Sequence, residues 1–478
     1  MLIHDILNGV KVLEILNYDS SIDIQSINDN SSKIEPNSLF VCIKGVKNDG
    51  HNFAKDAVNN GAIALVVEEF IKDVSVMQIR CENNRKVLAT CCNNFYKDIL
   101  SKLSLIGITG TNGKTTVTYM INSILLDNVG VIGTTGAFYK DKKITTNLTT
   151  PDCLDIYRIF DAMVKDGVNT IVMEISAHAI ALYKVYGLKF KIGIFTNLTQ
   201  DHLDFFGDIE SYYSVKAGFI MDQCENKIIN VDDVYGRQLY TLCCEPKYSY
   251  ALNSPADIFA IDIEYNKYGS KYIANVEDEL YEVKCNIPND YNIANSLCAI
   301  YAGVLMGLDL NECAKRLSML YDIPGRMKII QANGFDVIVD YAHTPDGLEK
   351  LLQNVKTFNY SNIIVVFGSC GYRDSLKRSI MGKVVSSLCD FCYITSDNPR
   401  YENPMDIALS VANGCINDNY EIELDRELAI GKAFEKVNKG GVVVCCGKST
   451  DIYQDIRGKK IAYNEVEIIN NLINKYIK

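Results

Sequence analysis

The sequence predicts an α/β protein of more than one domain, and three observations carry that prediction. Its 478 residues are too many for a single hydrophobic core, so two or three domains are expected. Strand-like apolar runs alternate with helical patterns along the whole chain, which implies parallel sheets that bind ligands beyond the carboxyl ends of their strands. One stretch, 107–116, reads as the end of a strand, a glycine turn and the start of a helix.

Taken in order, residues 1–101 alternate strand-like runs at 38–43 and 62–67 with a helical pattern at 53–59 and hold no phosphate loop, which describes a small α/β domain. Residues 102–325 follow as a nucleotide unit, with strands expected at 103–108, 170–175 and 192–196 and a helix at 117–126. A more polar patch at 258–283 reads as an antiparallel insertion. The turn Ile323-Pro324-Gly325-Arg326 is a linker. Residues 326–478 form a third α/β unit, with strands expected at 336–339, 362–367, 391–395 and 441–446.

Composition narrows the function. A hydrophobic content of 48% with 22% charged residues is that of a folded soluble chain. A net charge of −11 argues against a nucleic-acid partner, which requires a basic surface. The 17 cysteines are scattered, often inside apolar runs such as 442–446, and are read as reduced core residues of a cytosolic protein. No signal-peptide succession begins the chain, because Asp5, Lys11 and Glu14 interrupt it, and the most apolar stretch, 294–308, is too short to span a bilayer. A cytoplasmic monomer without membrane insertion is expected.

In the glycine turn, Gly110-Thr111-Asn112-Gly113-Lys114-Thr115-Thr116, backbone N–H groups can converge on one centre at a helix N-terminus, with Lys114 as a mobile cation. That is a polyphosphate cradle. It is not the general P-loop, because Ile108 stands where that pattern requires glycine. Glu174, at the end of a neighbouring predicted strand, is suited to hold magnesium opposite the Thr115 hydroxyl, or else to act as a capping carboxylate. Of five histidines, His178, His202 and His343 follow predicted strands. His202 is balanced between a ligand and a structural role. Asp340, also at a strand end, could accept hydrogen bonds from a ribose or cap a helix.

The strings GTNGKTT, MEISAH, FTNLTQDHLD, YNIANS, GRM, DYAHTP and SDNPRYE, in this order, resemble the Mur ligase family, and within it the type that adds the third residue of the peptidoglycan stem peptide. The resemblance covers nearly the whole chain. It implies three domains, 1–101 for the UDP moiety, 102–325 as a P-loop-type parallel-sheet ATPase and 326–478 as a Rossmann-like domain for the amino acid. It also implies a reaction: ATP phosphorylates a substrate carboxylate, and an amine attacks the resulting acyl phosphate.

By that resemblance Gly110, Thr111, Asn112, Gly113, Lys114, Thr115 and Thr116 cradle ATP, and Asn292, Arg326 and Asp340 grip the nucleotide. Thr115 and Glu174 would hold one magnesium ion and His202 a second. Lys216, on composition alone a solvated helix lysine, is expected to be carbamylated by CO2 and to serve the second ion, so that Lys114, Glu174, His202 and Lys216 form the catalytic set. The UDP-muramoyl dipeptide maps to Ser31, Thr149, Thr150, Ser176 and Lys184. Here the sequence departs from the family: Asn30-Ser31-Ser32 replaces Asp-Ser-Arg, Lys184 replaces an arginine, and Leu182 replaces a residue that is polar in many relatives. The amino acid maps to Arg373, Asp397, Asn398, Pro399, Arg400, Gly447 and Asp451. Arg400 in the DNPR string fits the distal carboxylate of meso-diaminopimelate, which a guanidinium fork reads well. The family's GKGHE is Gly447-Lys448-Ser449-Thr450-Asp451 here, placing a shorter Asp451 where the distal ammonium would sit. The alternatives are a ligase for L-lysine or another amino acid, a folylpolyglutamate synthase, and a non-catalytic paralogue that binds nucleotide or cell-wall precursor. The DNPR string disfavours the first two, and joint retention of Lys114, Glu174, His202 and Lys216 the last.

Overall fold

A computed structural model describes residues 1–45 and 48–476. The chain forms two compact units, one of Met1–Thr109, Leu126–Ile194 and Val215–Lys227, the other of Gly110–Leu125, Phe195–Ser214 and Ile228–Lys478.

The first unit opens with a five-stranded sheet. Its parallel strands include Ser38–Val41 and Ala62–Val67, both apolar on each face, as a covered parallel sheet requires. A second sheet carries β1 (Ser104–Thr109), β2 (Val129–Gly133), β3 (Thr170–Glu174) and β4 (Phe190–Phe195). β3 lies between β1 and β2, parallel to both, and Glu174 at its end is in register with Ile108. Beyond β2 the hairpin Gly136–Tyr139 and Lys142–Ile144 adds antiparallel strands, which sequence reasoning did not anticipate. Gly107 in β1 faces the rings of Phe190 and Phe219, where a Cβ would stand 2.7 Å from Phe219, so only glycine lets these aromatics close on the strand.

In the second unit the helix α1 (Lys114–Leu125) follows the glycine turn directly. It starts three residues earlier than the apolar spacing suggested, because a helix can begin on polar residues that its N-terminus exposes. The expected antiparallel patch is β5 (Ile258–Asn266), β6 (Gly269–Val276) and β7 (Glu279–Cys285), paired in sequence. Helix α2 (Asp290–Leu305) then carries the most apolar stretch of the sequence, and its residues 292, 293 and 295–303 are all buried. No helix among the described residues is long and apolar enough to cross a membrane.

A six-stranded sheet completes the second unit. Its strands are β8 (Lys328–Gln331), β9 (Asp336–Asp340), β10 (Ile363–Phe367), β11 (Phe391–Ile394), β12 (Tyr420–Ile422) and β13 (Val442–Cys446), in the order β8-β9-β13-β10-β11-β12. All but β8 are parallel. Alternate residues pack on opposite faces. Ile338, Val365 and Val444 meet α3 (Pro345–Thr357) and α4 (Lys377–Leu388), whereas Val337, Val366 and Val443 meet α5 (Arg426–Lys436) and α6 (Glu465–Tyr476). Burying each such side chain contributes about 1.5–3 kcal/mol. This doubly covered sheet leaves the carboxyl ends of β9, β10, β11 and β13 as the place for a ligand.

Candidate functional site

Within the second unit, the glycine turn is held on every side. Asn112 N–H donates to Asn197 Oδ1 at 2.9 Å, and its carbonyl accepts from Thr196 Oγ1 at 2.6 Å. Thr111 N–H donates to the Asn197 carbonyl at 2.9 Å. Gly110 has φ +146°, and a Cβ there would stand 1.9 Å from Thr196 Oγ1. Gly113 has φ +88°, with Asn295 Oδ1 2.8 Å from the position of a Cβ. Both glycines are thus demanded by conformation and by space. Lys114 Nζ donates to the carbonyls of Gly110 and Thr111, each at 2.9 Å, folding the cation over the turn. Thr115 and Thr116 are buried in the first turn of α1.

Of the other expected nucleotide residues, Arg326 reaches the same turn. Arg326 Nη2 donates to Thr115 Oγ1 at 3.0 Å, and its guanidinium lies 4.9 Å from the centre of the Tyr341 ring. Asn112 Nδ2 donates to Asp346 Oδ2 at 2.8 Å. Asn292 accepts from Asn295 at 3.0 Å, and Asn295 is the residue against Gly113. Asp340 is buried at the end of β9 and accepts from the N–H groups of Met327 at 2.9 Å and Ala342 at 2.8 Å. Its carboxylate therefore holds the linker to the strand end. Burial pushes its pKa above the usual carboxylate range, while Arg326 and the two amides pull the other way.

His202 takes a left-handed conformation, φ +58°, at the N-cap of a short helix, Leu203–Phe206. Its Nε2 is 3.3 Å from Asp201 Oδ2, and Asp201 Oδ1 is 3.6 Å from Lys377 Nζ. Burial raises the Asp201 pKa, but Lys377, His202 and His343 outweigh it and hold the carboxyl well below its ordinary value. His343 Nδ1 lies 2.9 Å from the Tyr341 carbonyl, and burial together with Lys377 lowers its pKa, which favours the neutral ring. The sequence reading passed over Asp201, Asn295 and Lys377. Asp201 stands next to His202, but nothing in its local pattern signalled burial.

Two other expected catalytic residues lie in the first unit. Glu174 is 1% exposed and receives the N–H of Thr134 at 2.9 Å and its hydroxyl at 3.1 Å. A Cβ at Gly133 would stand 2.2 Å from Glu174 Oε1, so the glycine makes room for the carboxylate. Lys216 is 1% exposed, not the solvated lysine that its composition suggests, and its Nζ donates to Thr109 Oγ1 at 3.4 Å. Thr150 Oγ1 donates to the Glu174 carbonyl at 2.8 Å and accepts from Ser176 N–H at 3.0 Å. Thr149 pairs with Thr134 at 3.2 Å, and Lys184 Nζ with Asp152 at 2.8 Å. Thr149, Thr150 and Ser176 thus gather around Glu174. Ser31 lies in a 3-10 turn, and among the described residues no hydrogen bond joins it to that group.

Around the carboxyl ends of the C-terminal strands, buried polar atoms collect without hydrogen-bond partners among the described residues: Ser369 Oγ, Asp374 Oδ2, Asp397 Oδ1 and Ser449 Oγ. Such atoms cost free energy unless a ligand or water satisfies them. Asn398 Nδ2 donates to Asp451 Oδ2 at 3.1 Å. Arg400 has φ +54° and donates to the Tyr372 carbonyl at 3.3 Å. Arg378 grips Glu402, which also accepts from Tyr372 N–H. These bonds bind the segment carrying Arg373 to the DNPR loop. Gly447 has φ +101°, and a Cβ there would stand 3.1 Å from Asp397 Oδ2.

Three family models match successive parts of the chain: "Mur ligase family, catalytic domain" at 23–96, "Mur ligase middle domain" at 108–303 and "Mur ligase, glutamate ligase domain" at 325–449. A Clostridium acetobutylicum protein named UDP-N-acetylmuramoyl-L-alanyl-D-glutamate--2,6-diaminopimelate ligase 1 is 40% identical, with 99% of this chain and 100% of that protein covered. The chain belongs to the Mur ligase family. A Clostridium tetani ligase of the same activity name is 39% identical, over 96% of this Mur ligase and 97% of the relative. A solved structure named for the same ligase matches with a TM-score of 0.71 and 26% identity, covering 100% of this chain and 99% of that one. A Thermotoga maritima MurF ligase solved in complex with ADP shares the fold, with a TM-score of 0.65 at 19% identity over 96% of this chain and 100% of its own. The fold class is thus that of a three-domain α/β Mur ligase.

Proposed function

We propose that this Mur ligase joins meso-diaminopimelate to UDP-N-acetylmuramoyl-L-alanyl-D-glutamate at the expense of ATP, in the cytoplasm, as a step of peptidoglycan synthesis. The observation that carries the reading is full-length likeness to ligases named for 2,6-diaminopimelate. The domain limits 1–101, 102–325 and 326–478 belong to the same proposal, as does a monomeric state.

A carboxylate and an amine do not condense at neutral pH, so an oxygen of the D-glutamyl carboxylate first attacks the terminal phosphorus of ATP, and ADP leaves. The amine then attacks the acyl carbon, phosphate departs, and the amine proton is lost to solvent. Two anions meet in the first step, so the enzyme's work is positioning and charge compensation rather than covalent catalysis. Lys114 swings from the turn carbonyls to the phosphates. The N–H groups of 110–116 cradle them, and Arg326, Asn292 and Asp340 orient the nucleotide. Thr149, Thr150, Ser176, Lys184 and Ser31 bind the UDP-muramoyl dipeptide.

Thr115 and Glu174 are hard-oxygen ligands suited to one magnesium ion, and His202 with a carbamate on Lys216 to a second. When bound, these ions neutralise phosphate oxygens. The burial of Lys216 beside Thr109 suits a carbamate, which exchanges a buried cation for oxygen ligands. Arg400 and Arg373 take the distal carboxylate of diaminopimelate and Asp451 its distal ammonium, with Asp397, Asn398, Pro399 and Gly447 forming the walls. The buried unpartnered atoms at these strand ends support a polar ligand there.

The test is phosphate release from ATP with magnesium and the UDP-muramoyl dipeptide, comparing meso-diaminopimelate, L-lysine and no amino acid. Stimulation by diaminopimelate is expected. Stimulation by lysine alone would overturn the specificity, and none by any amino acid the ligase reading.

A further inference from the structure

Lys448 is fully buried, 0% exposed, between two left-handed residues, Gly447 at φ +101° and Ser449 at φ +44°. Its ammonium donates to Asn398 Oδ1 at 3.0 Å, to Asp451 Oδ2 at 3.2 Å and to the Tyr453 carbonyl at 2.6 Å. All three N–H donors are used. Asp397 Oδ1 lies 3.9 Å away and the Tyr463 ring centre 5.6 Å. Burying an ammonium carries a desolvation cost that only full pairing offsets, and a loop that needed only a turn would keep its lysine in water.

Lys448 meets the proposed amino-acid pocket from behind. Asn398 Oδ1 also accepts from Asp455 N–H at 2.9 Å, and its Nδ2 donates to Asp451 Oδ2 at 3.1 Å. The ammonium, the amide and the carboxylate therefore close a triangle that leaves no freedom to the Asn398 amide. Asp451 spends Oδ2 on that triangle, while its Oδ1 has no hydrogen bond among the described residues. Asp397 Oδ1, which is buried, likewise has no hydrogen bond among the described residues. Lys448 thus stands within ion-pair distance of both carboxylates, 3.2 Å from Asp451 and 3.9 Å from Asp397, and each keeps an oxygen without a hydrogen bond among the described residues.

We infer that Lys448 is a positioning residue for the incoming amino acid, fixing Asn398 and Asp451 through its own hydrogen bonds so that Asp451 keeps one carboxylate oxygen for a substrate ammonium. This rests on the reading of 397–400 and 447–451 as the amino-acid site. A side chain that acts through the pocket walls should change amino-acid binding and leave the ATP site alone. Steady-state kinetics of the full-length ligase with K448M should show KM for meso-diaminopimelate raised about tenfold or more, with KM for ATP and kcat within about threefold. K448M/D451N should lie within about threefold of the worse single variant, because the two residues act as one unit. If K448M does not fold, K448Q, which keeps two N–H donors without the charge, is read by the same KM criterion. An unchanged KM for diaminopimelate in a folded variant would overturn the inference, as would a parallel rise in KM for ATP or KM effects that multiply in the double variant. Wild-type enzyme that diaminopimelate does not stimulate would remove the function on which the inference rests. Stimulated wild type with an indifferent variant would overturn this inference alone.

Discussion

Arg426 and Glu465 open α5 and α6 and are 1% and 0% exposed in their side chains. The guanidinium donates through Nε and Nη2 to both carboxylate oxygens, at 2.5 and 3.2 Å, and through Nη2 to the Cys446 carbonyl at 2.7 Å. The pair therefore pins two helices to the end of β13, directly before the Gly447 turn. In Arg426→Met the Glu465 carboxylate keeps, among the described residues, only the Tyr463 hydroxyl, at 3.2 Å. Stranding a buried charge costs about 3–5 kcal/mol. For the domain proposed at 326–478 each kcal/mol lowers Tm by roughly 2–4 °C, so a fall of about 6–20 °C is expected in the transition that includes β13. Scanning calorimetry of the full chain measures the fall, and amide exchange at 442–446 assigns it.

Arg426→Met/Glu465→Leu, which leaves no charge behind, should be more stable than the single variant even though the Cys446 carbonyl loses its donor. A single variant melting within about 2 °C of wild type, or a double variant no better than the single, would refute the reasoning.

Gly110→Ala would place a methyl group 1.9 Å from Thr196 Oγ1 at φ +146°, and ADP affinity measured by calorimetry should fall by about a hundredfold or more; wild-type affinity would contradict the cradle. Asp201 has a depressed folded pKa, so its stabilisation is complete above the unfolded value near 3.9 and is lost as pH falls through the folded one. Asp201→Asn should therefore cost about 3 kcal/mol at pH 7 in chemical denaturation, and its deficit against wild type should shrink below pH 4. Labelled 13C-bicarbonate should give a carbamate resonance in wild type that is absent from Lys216→Gln, with phosphate release lost in the variant. A resonance that persists in Lys216→Gln would assign the carbamate elsewhere.

Local patterns made the phosphate turn legible. Gly110, Gly113 and Lys114 stand at a spacing that can be read within seven residues, and the strand before them and helix after them announce themselves by periodicity. The antiparallel patch was legible from its higher polarity, and β6 within it alternates more and less buried residues along its length. Short strands such as Lys142–Ile144 carry too few residues to show any period. What the sequence could not display is burial imposed from far along the chain. Lys216 in Ser-Val-Lys-Ala-Gly has the look of a surface lysine, and only family resemblance singled it out. Lys377 owes its burial to a fold that brings it to Asp201, and Lys448 to acceptors at Asn398 and Tyr453. A charged residue inside a loop or helix says nothing locally about whether its partner will be water or a distant side chain.

The proposed chemistry requires an oxygen of the substrate carboxylate to leave with phosphorus. UDP-muramoyl dipeptide labelled with 18O in the D-glutamyl side-chain carboxylate, incubated with ATP, magnesium and meso-diaminopimelate, tests this by mass spectrometry of the phosphate and of the nucleotide product. The account predicts one labelled oxygen in each phosphate released and a product lengthened by one diaminopimelate residue. Unlabelled phosphate, with ATP consumed and the dipeptide unchanged, would contradict it.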